Sequence, residues 1–160
     1  MKHSIKVGFS FGLTSGIITT LGLLVGLNYS THSKLAVIGG ILTIAIADAF
    51  SDAMGIHLSQ ESSSKLNATS VWESTLATFF TKLIFASSFV IPILLFELAL
   101  AVWICIFWGL ILLAIFSYMI ARQNKTRPIE VITEHLGIAI FVILVSAYLG
   151  NWLSGSFSTR

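Results

Sequence analysis

The chain has 160 residues, 56% of them hydrophobic and 10% charged, with a formal net charge of +2 and a mean hydropathy of +0.93. A soluble domain carries about 25% charged residues, so composition points to an integral membrane protein of one domain, and so small a net charge gives nucleic acid no footing. The single cysteine, Cys105, excludes a disulfide framework and reads as a small buried hydrophobe.

About 20 apolar residues are needed to cross the hydrocarbon core. The first such run is 7–28. Lys2 and Lys6 ahead of it imitate a signal peptide, but the run is too long for one and no small-residue cleavage site follows, so it is expected to remain as a span. Gly8, Gly12 and Gly16 repeat at i,i+4 on one face, the pattern that lets helices approach closely in lipid. The second run, 35–57, holds Asp48 and Asp52. Each carboxylate near a bilayer centre costs roughly 2.5–3.5 kcal/mol, and at i,i+4 the two repel. Cations are the obvious partners. No lysine or arginine lies inside a span to neutralise them unless Lys82 reaches in.

Residues 58–75 read as a short loop carrying Glu61 and Glu73. Beyond it, Glu97 alone interrupts a long apolar stretch. That stretch is too long for one crossing and right for two, so spans at 76–96 and 98–121 are expected with a tight turn near Glu97. Pro92 near the end of the third span costs little there. Residues 122–128 form the clearest loop, and a fifth span runs over 129–153. Its first turns carry Glu130, Glu134 and His135, which salt bridges to Arg122, Lys125 or Arg127 would explain.

The fold class expected is therefore all-α with five transmembrane helices. Seven basic residues fall to one side (Lys2, Lys6, Lys65, Lys82, Arg122, Lys125 and Arg127) and two to the other (Lys34 and Arg160). Positive charge favours the cytoplasm, which puts the N-terminus and the 58–75 loop inside and the C-terminus outside.

Carboxylate and hydroxyl oxygens suit hard divalent cations, and an added thioether or imidazole shifts the preference toward later metals. Asp48 and Asp52 are the expected metal site, with Thr14, Ser51 and Met54 as secondary ligands and Glu61 and Glu73 as capture residues. His57 lies off the Asp48/Asp52 stripe, near the interface. A like-charged pair favours taking up a proton, so a proton can substitute for the metal. There is no nucleotide-binding loop, nucleophile triad or Cys/His metal-finger spacing, so neither an enzyme nor an ATP-driven pump is expected, and no resident cofactor.

Two stretches carry a resemblance. They are Phe11-Gly-Leu-Thr-Ser-Gly-Ile-Ile-Thr-Thr-Leu-Gly-Leu-Leu-Val-Gly-Leu27 and Ala45-Ile-Ala-Asp-Ala-Phe-Ser-Asp-Ala-Met-Gly-Ile-His-Leu-Ser-Gln-Glu-Ser62. With Ile91-Pro-Ile-Leu-Leu-Phe96 and Tyr148-Leu-Gly150, they resemble the family of vacuolar iron transporters and yeast Ca²⁺-sensitive cross-complementers. That resemblance implies a homodimer in the lipid bilayer, with span one of each subunit lining a path. It also implies export of Fe²⁺ or Mn²⁺ from the cytosol in exchange for protons. Localisation in the cell membrane of a prokaryote is the matching expectation. The chain departs from the family pattern in three places. Phe11 stands where plant-type members have an aspartate, and Asp52 where they have a methionine. The glutamate-rich cytoplasmic helices shrink to 58–75. The alternatives are a non-transporting subunit that docks another membrane protein, and an uncoupled cation channel.

Overall fold

A computed structural model describes residues 2–62 and 67–157. The described residues form six helices: α1 (His3–Thr31), α2 (Lys34–Glu61), α3 (Ala68–Ser88), α4 (Val90–Leu95), α5 (Leu98–Asn124) and α6 (Pro128–Phe157). Taking α3 and α4 as one stretch, five helical segments are long and apolar enough to cross a membrane, as expected from the sequence.

Local chemistry sets the boundaries. The Ser33 hydroxyl accepts from the Ala36 N–H and starts α2, and the Asn67 side chain accepts from the Ser70 N–H at 2.9 Å and starts α3. α1 ends at His32 with φ 49°. α5 ends at Lys125 with φ 55°, where Thr126 N–H donates to Ala121 O and Lys125 N–H to Arg122 O. That pair of bonds is a Schellman closure built without glycine. Pro92 lacks the donor that would continue the ladder through Ser88, and the helix breaks at Phe89 into α3 and α4. The turn at Phe96 and Glu97 follows, and Lys34 Nζ donates to the Leu94 and Phe96 carbonyls there.

The expected 58–75 loop is mostly helix. α2 runs on to Glu61 and α3 begins at Ala68, because Asn67 supplies a cap and the polar turns on either side still form helix. Hydropathy could not see those turns. Residues 63–66 lie outside the described part.

α1 packs against α2, α3, α5 and α6. Leu13, Ile17, Leu21 and Leu24 on it are fully buried and meet Val37, Ile41, Phe89 and Cys105. The glycine face predicted on span one packs on α3. A Cβ at Gly12 would lie 2.5 Å from the Thr78 carbonyl oxygen, and one at Gly8 would strike the Ser74 carbonyl. No side chain fits at either position without separating the helices.

Candidate intramembrane ion site

The α1–α3 seam carries polar groups at helical spacing. Ser74, Thr78 and Lys82 stack along α3 beneath Gly8, Gly12 and Gly16, and all three are fully or almost fully buried. Thr78 Oγ1 donates to Ser74 O at 2.9 Å and to Gly8 O at 3.2 Å. The seam ends at Lys82. Its side chain, 1% exposed, passes over Gly16, where a Cβ would lie 3.3 Å from Lys82 Cγ.

Lys82 Nζ forms ion pairs with both Asp48 and Asp52 and donates to Ser15 Oγ at 2.8 Å. Asp52 also accepts a hydrogen bond from it. Asp48 Oδ2 is buried, and its only partner among the described residues is the Lys82 ammonium. Space for this cluster comes from α2, whose buried stripe beside the aspartates is Ala45, Ala49 and Ala53. All four groups lie near the middle of their helical segments.

Three helices thus converge two carboxylates, one ammonium and one hydroxyl. Removing charges from water costs several kcal/mol each unless pairing and hydrogen bonds compensate. Here the pairing is asymmetric. Two carboxylates against one ammonium leave one negative charge over, and a proton or a cation is needed to neutralise it. Asp48 also opens on a groove of about 620 Å³ between α1 and α2, lined by Leu23, Leu27, Gly40, Thr43 and Ser51. A half-buried carboxylate and exposed hydroxyls at that depth are unfavourable against lipid.

The other predicted residues scatter around this centre. Ser51 shares the groove with Asp48, but Met54 is 49% exposed and turned away. Thr14 is half-buried on α1 and makes no hydrogen bond to the aspartates among the described residues. Glu73 is held by Lys2 and by Ser4 Oγ at 2.6 Å. Glu61 lies one turn beyond His57 at the exposed end of α2. Among the described residues no three histidine, cysteine, aspartate or glutamate side chains come together as a ready metal cage. Glu130 pairs with Arg127 at 3.1 Å, as a surface salt bridge would, and His135 bonds Ser117 at 2.8 Å.

Lys82 was the residue missing from the sequence-derived site. Its signal was available: it is the one basic residue within an otherwise apolar and hydroxylated stretch from Leu76 to Pro92. It also leaves the tally of flanking charges, which becomes six against two in the same direction.

Comparison with protein-family models, with curated proteins and with solved structures finds no match. The resemblance to the vacuolar iron transporters therefore rests on the sequence motifs alone.

Proposed function

We propose that this chain is a multi-pass membrane transporter that exchanges a divalent cation, Fe²⁺ or Mn²⁺, for protons through a site made by Asp48 and Asp52. The observation that carries this reading is the unbalanced charge of the Asp48–Lys82–Asp52 cluster. A site short of one positive charge attracts a cation, and an internal ammonium keeps it from binding one too tightly to release. Fe²⁺ and Mn²⁺ are chosen over other cations on the family motifs.

In this reading two copies face each other across the α1–α2 groove. Thr43, Asp48 and Ser51 would then line a shared path instead of meeting lipid. The surplus of basic residues around the α1 N-terminus puts that end in the cytoplasm, and transport runs outward from there. Glu73 and Glu61 stand at the same end as capture groups.

Lys82 also favours a second reading. An ammonium that pairs with both aspartates suits a static polar cluster holding three helices together, as in a non-transporting subunit. Metal flux decides between the two. Proteoliposomes containing the wild-type protein are given Mn²⁺ with a metal-sensitive and a pH-sensitive dye inside. Entry of metal with opposing proton movement, lost in Asp52→Asn, supports exchange. Flux insensitive to a pH gradient supports a channel. No flux from folded protein supports the subunit.

A further inference from the structure

Near the exposed end of α2, His57 bonds across to α3. Its Nδ1 lies 3.0 Å from Thr75 Oγ1, and the Thr75 hydroxyl donates its own proton to the Val71 carbonyl at 2.8 Å. While the Thr75 proton stays on the Val71 carbonyl, Thr75 Oγ1 accepts from Nδ1–H, and the neutral imidazole then presents the Nε2 lone pair on its other side. Nε2 faces Glu61 Oε2 at 3.9 Å. Trp72 packs edge-on against the ring, with centroids 4.7 Å apart, and limits its rotation. The His57 side chain is 15% exposed and that of Glu61 67%. Both open on a cavity of about 190 Å³, completed by Ala68, Val71 and Trp72.

In that tautomer a lone pair and a carboxylate face one another, and a proton or a metal ion between them removes the repulsion. We propose that His57 Nε2 and Glu61 together form an entry site for a divalent transition-metal ion at this mouth of the bundle. Imidazole nitrogen with carboxylate oxygen is a donor set that such ions accept. A histidine that ligates a metal commonly donates its other N–H to an oxygen partner, which here is Thr75. With bonds of about 2.0–2.2 Å and tetrahedral angles, two donors on one ion sit about 3.4 Å apart. Rotation of the exposed Glu61 side chain closes the difference while His57 stays in place. Water completes the shell, so the ion is held weakly and can move on. The purpose of the site rests on the transport reading; its test does not.

The test is a titration of the purified full-length protein in detergent with Co²⁺, read by quenching of tryptophan fluorescence, since Trp72 touches His57. A saturable quench is expected. It should disappear in His57→Gln, vanish with its reporter in Trp72→Phe, and persist in Asp52→Asn. Glu61→Gln, a change at an exposed position that leaves folding intact, should weaken it about tenfold or more. Thr75→Val should weaken it 10- to 100-fold by freeing the ring. A saturable quench unchanged in both His57→Gln and Glu61→Gln overturns the site, as does no saturable quench in the wild type. Co²⁺ binding at His57 in a protein that shows no flux would support the site and refute transport, so the two claims fail separately.

Discussion

Lys82→Met is the sharpest structural test of the central cluster. The substitution keeps length and apolar volume and removes the charge, leaving Asp48 and Asp52 without their ammonium. Lys82 is 1% exposed and the two aspartates are 26% and 18% exposed, so screening by water is small. Removing one partner of a buried ion pair costs about 3–5 kcal/mol. For a chain of this size 1 kcal/mol corresponds to roughly 2–4 °C in melting temperature, so a fall on the order of 6–20 °C is expected in a thermal melt in detergent. The triple variant Lys82→Met, Asp48→Asn, Asp52→Asn removes every charge at once and should recover much of that loss, because replacing a whole buried ionic group by neutral residues is often close to neutral. A shift below about 2 °C for Lys82→Met would mean that the ammonium is not buried among these carboxylates. A triple variant no more stable than the single one would refute the charge imbalance as the cause.

Three further outcomes follow from the packing and the caps. Gly12→Val should destabilise by at least about 1–3 kcal/mol, because its Cβ would sit 2.5 Å from the Thr78 carbonyl oxygen; a melting temperature equal to wild type would show that α1 and α3 do not meet there. Asn67→Ala should cost about 1 kcal/mol by removing the α3 cap, read as faster amide exchange confined to the first turn of α3. Glu73→Gln should lower stability only slightly, since its partner Lys2 is 69% exposed and a pair so open to water is weak. Raising the salt concentration should shrink even that difference, and a large, salt-independent fall in melting temperature would contradict it.

Five apolar runs were legible in the sequence because span length and hydropathy depend on composition alone. Each helix is longer than its run by the polar turns at its ends. His3–Lys6 and Ser59–Glu61 are helical without being apolar, so hydropathy stops short of them. The turn near Glu97 was readable from the length of the stretch around it, but the break at Phe89 was not, since Pro92 was expected to cost little near the end of the third span. The glycine face of span one predicted close packing, but its partner, α3, is set by tertiary contacts that spacing does not encode.

Of the central cluster, Asp48 and Asp52 announced themselves by their cost. Lys82 was harder to place. A lysine one or two turns inside an expected span can turn back to the interface or reach inward, and only the position of α3 against Gly16 decides which. The longer α3 moves Lys82 from the start of a span to its middle. Ser51 opens on the same groove as Asp48 while Met54 does not, and periodicity alone could not say which face the bundle would bury. The bond between His57 and Thr75 was likewise beyond reach, since Thr75 comes from the neighbouring helix.

Metal flux in proteoliposomes, with proton movement followed in the same vesicles, tests the transport claim most directly. Wild-type protein should admit Mn²⁺ while protons move the opposite way, and Asp52→Asn, folded and of the same oligomeric size, should admit none. Equal flux in Asp52→Asn and wild type, or none in either, would contradict the claim that these carboxylates carry the ion.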